Sequence, residues 1–162
     1  MLVSWHTQIN IVKSIIILGD LFTNAGKRAG RAVAYSPKPG RKTIYDAKWL
    51  NRVARYYGLD WKPTTARDRV VVIRDSVTIK YKEIVDAVMM ALADENIQPD
   101  MLAELTNRNM RLYLPADLFP EIAVEDLVYD NRSHRFSAII VAPANHPEAQ
   151  RHRIAGKLYK MI

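Results

Sequence analysis

The sequence predicts an α+β fold, with small mixed or antiparallel sheets, two main amphipathic helices at about 46–57 and 80–95, and a C-terminal β-hairpin. Three observations carry that expectation. Apolar residues recur at helical spacing in two windows. Elsewhere, short runs of β-branched and aromatic residues are bounded by Gly, Pro, Asn and Asp. The composition, 49% apolar and 25% charged over 162 residues, is that of a chain able to bury a core without staples.

Taken in order, Ile9 to Leu18 is β-branched and stops at Gly19-Asp20, which predicts a strand. Thr23 to Gly30 reads as a loop, and Ala32 to Tyr35 as a short strand. Ser36-Pro37-Lys38-Pro39-Gly40 is a turn, because its prolines lack donors and Gly40 tolerates positive φ. Asp46 can cap a helix that runs to Tyr57, with Trp49, Leu50, Val53 and Tyr57 on one face and Gly58 as its stop. Arg69 to Arg74 encloses Val70-Val71-Val72-Ile73, a short buried strand. In Lys80 to Glu95, Tyr81, Ile84, Val85, Val88, Met89 and Leu92 form a continuous helical stripe. Leu112 to Leu114 is a strand stopped by Pro115. Val124–Tyr129 and Arg135–Ala142 flank the turn formers Asp130 to His134, a hairpin signature. Arg151 to Met161 can return as a third strand. Two domains are expected: a basic one at 1–75, and a helix-plus-strands one at 76–162.

Charge is unevenly placed. The net charge is +7, yet Lys27 to Arg69 alone holds twelve basic and three acidic residues, a local +9. Such a half attracts an acidic surface: nucleic acid, anionic lipid or an acidic protein. Without cysteine, neither disulfides nor thiolate metal sites hold the fold. No apolar run reaches the roughly 18 residues needed to span a bilayer, so membrane insertion is not expected. Met1 to Asn10 does not read as a secretory signal, so an exported form needs a start upstream of Met1 or a leader not included here.

Catalytic and cofactor signatures are weak. His6, His134, His146 and His152 have no i, i+4 partner and no acidic residue completing a ligand set, although His146 and His152 flank a proline-containing loop. Gly26-Lys27-Arg28-Ala29-Gly30 lacks the strand, helix and Lys-Ser/Thr ending of a phosphate loop, and reads as a surface turn. No serine occupies a nucleophile elbow. Adjacent carboxylates such as Asp94-Glu95 and Glu125-Asp126 point apart along one element. No enzyme, cofactor or small-molecule substrate is therefore expected. Lys48, Arg52 and Arg55 line one helix face, which suits phosphates or an acidic partner and equally the wet side of an amphipathic helix. Tyr56 and Tyr57 beside them can stack on bases or half-bury against the core, but the residues that read base edges are not grouped there. Trp49, Trp61, Tyr113, Tyr129 and Phe136 read as core or interface anchors.

Four stretches, in order and spacing, resemble the flagellar basal-body P-ring formation proteins, the periplasmic chaperones of the FlgA family. They are Leu18-Gly19-Asp20-Leu21-Phe22 with the Ala34 to Gly40 turn, Trp49 to Arg55 with Tyr57 to Pro63, Leu112 to Ala116, and Asp126 to Asp130 with Arg135 to Ala138 and Gly156. Together they cover most of residues 15–162. The similarity extends to the N-terminal and middle part of that family. The family's C-terminal SAF-like domain would begin about where Met161-Ile162 ends this chain.

That resemblance implies a non-catalytic role: holding P-ring subunits in the periplasm before they close around the rod. An open strand edge in the final hairpin can pair with a subunit strand, and the basic half can steer an acidic subunit toward it. The partner-contacting candidates are Lys48, Arg52, Arg55, Tyr129, Arg135 and Phe136. The alternative is a small basic nucleic-acid-binding protein, although nucleic acid is the less expected partner.

Overall fold

The computed structural model describes residues 4–5, 7–97 and 100–160. In chain order the strands are β1 Ser4–Trp5, β2 Gln8–Ile11, β3 Ile15–Ile17, β4 Phe22–Thr23, β5 Ala32–Tyr35, β6 Lys42–Asp46, β7 Arg69–Arg74, β8 Ser76–Ile79, β9 Met101–Leu105, β10 Leu112–Pro115, β11 Ala123–Asp130, β12 Arg135–Ala142 and β13 Gln150–Lys160. The helices are α1 Leu18–Leu21, α2 Ala47–Tyr56 and α3 Tyr81–Asp94. The fold is α+β, as the sequence predicts. The chain divides into two compact units: Met1–Ser76 with Pro115–Asp117, and Val77–Leu114 with Leu118–Ile162.

In the first unit, β7 is the centre of a three-stranded sheet, parallel to β2 and antiparallel to β6. Its valines alternate: Val70 and Val72 are fully buried while Val71 and Ile73 are half-buried, so the run serves one covered face rather than two. Arg74 ends the strand almost wholly buried, with its Nε–H donating to Val12 O (2.8 Å) and Nη1–H to Pro37 O (3.3 Å). Backbone carbonyls rather than an acid satisfy this cation, and they fix the chain around Val12 and Pro37.

The expected single strand at Ile9–Leu18 is two strands in two sheets. β2 pairs with β7, whereas β3 pairs antiparallel with β5. Ile17 N–H then donates to the Asp20 carboxylate (2.8 Å), and Leu18 begins the short α1. Local β propensity cannot report a change of sheet between two strands. Of the expected Thr23–Gly30 loop, Thr23 ends β4, and the rest keeps its loop character around a single 3-10 turn at Gly26–Arg28.

Helix α2 starts where the sequence says it should. Asp46 accepts the Trp49 N–H (2.9 Å), and Gly58 follows the C-terminus at φ +67°. Leu50 and Ala54 are fully buried, and Tyr45 of β6 stacks on Trp49 with ring centroids 4.0 Å apart. Burial pushes the Tyr45 hydroxyl above its usual pKa.

In the second unit, α3 buries Ile84, Val88 and Leu92 completely against strands that include β9 and β11, each side chain contributing roughly 1.5–3 kcal/mol. The sheet order is β11-β12-β13-β9, all antiparallel. β8 and β10 form a separate hydrogen-bonded pair. β11 and β12 make the expected hairpin, and β13 returns beside β12 as the third strand. Gly156 of β13 lies opposite Phe136 of β12 on one side and Leu105 of β9 on the other.

Candidate partner-binding surfaces

Lys48, Arg52 and Arg55 stand exposed on α2, with Leu50 and Ala54 turned into the core. Among the described residues, none of the twelve basic side chains between Lys27 and Arg69 is in an ion pair; the bridges found are Lys13–Asp20, Arg108–Glu104 and Arg151–Glu125. Two of the three local acids are occupied elsewhere. Asp46 caps α2, and Asp68 accepts from the N–H and hydroxyl groups of Thr64 and Thr65 at 2.7–3.2 Å. Partial desolvation raises the Asp68 carboxyl, but those four hydrogen bonds together hold it below the usual carboxylate range. Backbone amides and hydroxyls thus hold Asp46 and Asp68, and apart from Arg28, whose guanidinium donates to Tyr57 O, the cations are left to solvent or to a partner.

Two recesses lie in the same unit. One, about 560 Å³, joins Arg55 and Asn51 of α2 to Asp60, Trp61 and Lys62 of the following segment. The other, about 370 Å³, runs along the β3–β5 ribbon and is lined by Ile15 and Ala32 to Tyr35. There Ile15 is 40% exposed and its cross-strand partner Tyr35 is 85% exposed. The sequence carries no local sign of this apolar surface, since β-branched and aromatic residues in a strand ordinarily mean core.

The C-terminal candidates separate. Phe136 is 3% exposed and sits in the core beside Ile84, Leu105 and Leu158, so it supports the sheet and is not a surface contact. An aromatic in an alternating strand points to one face or the other, and register alone assigns which. Tyr129 is half-buried against the same core, and its hydroxyl is hydrogen-bonded to His134 Nδ1 (2.9 Å). Arg135 alone of the three stands exposed.

β11 is an edge strand, as a strand-pairing partner requires, but its ladder to β12 shifts register between Glu125 and Val128, and Asp126 sits at φ +50°. A bulge of this kind bends an edge and shortens the straight template to about three residues on either side. At the opposite edge, Leu105 N–H of β9 donates to the Tyr81 hydroxyl of α3 (3.0 Å), so a helix side chain caps that strand's free donor.

The hairpin turn is held by Asp130. The N–H of Arg132 (2.9 Å) and then that of Ser133 hold its carboxyl below the usual value of 3.8, against partial desolvation, with smaller help from the Ser133 hydroxyl and His134. A depressed carboxyl pKa adds stability that is complete above the unfolded value and fades as pH falls below 3.8 through the folded value. Wild type is therefore expected to melt above Asp130→Asn at neutral pH, with the gap closing below pH 3.8. A gap that is constant from pH 7 to pH 2 would remove the turn's acid from the account.

Among the described residues, no helix is long and apolar enough to cross a membrane, and no group of three or more His, Cys, Asp or Glu is placed to hold a metal ion. Comparison with known proteins finds no matching family model, no matching curated protein and no matching solved structure.

Proposed function

We propose that this protein works by presenting surface to another protein. It holds a subunit whose docking face is acidic with an apolar centre, and no bound small molecule is transformed. The resemblance to the FlgA family makes the flagellar P-ring subunit the first partner to test, and the periplasm the compartment. One observation carries the reading: a single compact unit leaves the cations of Lys27–Arg69 without ion pairs among the described residues, and exposes the Ile15/Tyr35 ribbon. Unneutralised charge raises encounter rates with an opposite surface, and exposed apolar side chains supply the desolvated contact that slows dissociation.

The test is a charge reversal, Lys48→Glu with Arg52→Glu and Arg55→Glu, measured against purified P-ring subunit. The association rate is expected to fall by about ten- to a hundredfold at low salt, with a flatter salt dependence. An unchanged rate at every ionic strength would sink the steering role. Tyr35→Ser should instead raise the dissociation rate.

A second reading, a basic nucleic-acid binder, draws on the same unpaired cations. It requires duplex affinity that falls steeply with salt. Absence of binding at low salt excludes it.

A further inference from the structure

The face of the four-stranded sheet turned away from α3 carries its own charge pattern. Along β13 the exposed positions alternate with the buried Ile154, Gly156 and Leu158, which places Arg151, Arg153, Lys157 and Tyr159 together on that face. Strand register then sets a row across the sheet: Asp130 opposite Arg135, Arg135 opposite Lys157, and Lys157 opposite Glu104.

On paper that row runs acid, base, base, acid. The geometry assigns both acids elsewhere. Asp130 is held by the turn amides of Arg132 and Ser133, and Glu104 is bridged by Arg108 at 2.6 Å. Arg135 and Lys157 remain directly opposite one another, both exposed, and neither is in an ion pair among the described residues. Like charges at directly opposed positions repel, and an anion seated between them would remove the penalty. These two cations share a recess of about 290 Å³ with Arg108, Thr106, Glu104 and Tyr159. Tyr159 is 47% exposed, and the Lys157 ammonium rests 5.5 Å from its ring centroid.

We propose that this recess binds a nucleotide, with its phosphate between Arg135 and Lys157 and its base against Tyr159. A recess of about 290 Å³ suits a small ligand rather than a folded partner. A planar fork and a compact ammonium side by side suit a phosphate. An exposed aromatic ring beside them offers a stacking platform that every base can use. Lys157 must leave the ring to reach the phosphate. A solvent-exposed cation–π contact is weak beside a charge-assisted hydrogen bond, so the exchange favours the ligand. The nucleotide can be free or part of a single strand, since both present the same phosphate and base.

The proposal shares only Arg135 with the partner-contacting candidates and uses no residue of α2 or of the β3–β5 ribbon, so it can fail or hold apart from the protein-partner reading. The 162-residue chain is titrated in about 50 mM salt with a nucleoside monophosphate, with inorganic phosphate, and with a labelled single-stranded hexanucleotide. Saturable binding of the nucleotide, tighter than of phosphate, is the expected result. Affinity confined to the hexanucleotide assigns the strand as the ligand; equal affinity for the free nucleotide assigns the small molecule. Arg135→Gln with Lys157→Gln should cost at least tenfold and lower the salt slope for the strand by about 0.7, the value for one neutralised phosphate of a single strand. Tyr159→Ala should cost about five- to a hundredfold, with Tyr159→Phe close to wild type. The positions are exposed, so unchanged far-ultraviolet dichroism is expected to certify each fold. Three results overturn the assignment: no saturable binding, nucleotide bound no better than phosphate, or binding abolished by Lys48→Gln/Arg52→Gln/Arg55→Gln while Arg135→Gln/Lys157→Gln leaves it intact.

Discussion

Gly156→Ala is expected to destabilise the C-terminal unit by about 3 kcal/mol, the upper end for a single inserted methyl. A Cβ built at Gly156 would lie 2.3 Å from Glu104 O and 2.6 Å from Phe136 Cζ. The carbonyl belongs to β9, which is itself hydrogen-bonded to β13, so it cannot retreat without opening the ladder. The ring of Phe136 is enclosed by the core and has nowhere to swing. Gly30→Ala is the control, because nothing lies within 4 Å of a Cβ there and its effect should be within about 1 kcal/mol of zero. Phe136→Ala is expected to cost about 3–5 kcal/mol by leaving a cavity where the ring now covers the glycine. Combining Gly156→Ala with Phe136→Leu should cost less than the sum of the two changes, since the smaller side chain relieves the ring clash but not the carbonyl clash. Urea melts followed by far-ultraviolet dichroism measure all of these. A Gly156→Ala protein as stable as wild type would show that the close approach of the two strands is not obligatory.

Trp61→Ala is expected to cost about 3–5 kcal/mol, in the N-terminal unit. Trp61 is 6% exposed and meets two rings edge to face, Trp5 at 5.6 Å and Phe22 at 5.4 Å. Each such pair adds about 0.5–1.5 kcal/mol beyond burial. The segment from Gly58 to Asp68 contains no helix or strand; Gly58 N–H to Arg55 O (3.1 Å) and Leu59 N–H to Ala54 O (2.8 Å) tie its start to α2, and the indole packs it against Trp5 and Phe22. Trp5, Trp49 and Trp61 all lie in this unit, so emission from the remaining two reports its unfolding directly. Trp61→Phe keeps the edge contacts and should recover most of the loss. Because Trp61 also lines the recess with Arg55 and Lys62, Trp61→Ala should weaken partner binding beyond what Arg55→Glu does alone. Equal melting of wild type and Trp61→Ala would refute the anchoring role.

Several elements were missed, and the reasons differ. β6 places Thr43, Ile44 and Tyr45 in a β-prone run just before the Asp46 cap, where the stronger helix signal masks it. β9, Met101-Leu102-Ala103-Glu104-Leu105, is made of helix formers; its period of two is visible only as the burial alternation, because five residues are too few to set a period against propensity. Its partner β13 lies some fifty residues away, and no local pattern names it. At the candidate surfaces, the α2 cations were legible because helix periodicity assigns faces. The Arg135–Lys157 pair was not, since residues more than twenty positions apart become neighbours only through strand register. Phe136 reads as either a core or an interface anchor for the same reason: alternation says that neighbouring side chains part, not which one enters the core.

Periodicity and end signals by themselves determined α2 with its Asp46 cap, α3 with its Ile84, Val88 and Leu92 stripe, the β11–β12 hairpin, the strand Arg69–Arg74 and the concentration of positive charge in Lys27–Arg69. Each depends on residues within a few positions of one another. Tertiary structure alone decided that Ile9–Leu18 divides between two sheets, that Arg74 is satisfied by carbonyls from distant loops, and that Arg135 faces Lys157. The physical reason is common to all three: each joins residues far apart in sequence that only the folded chain brings together.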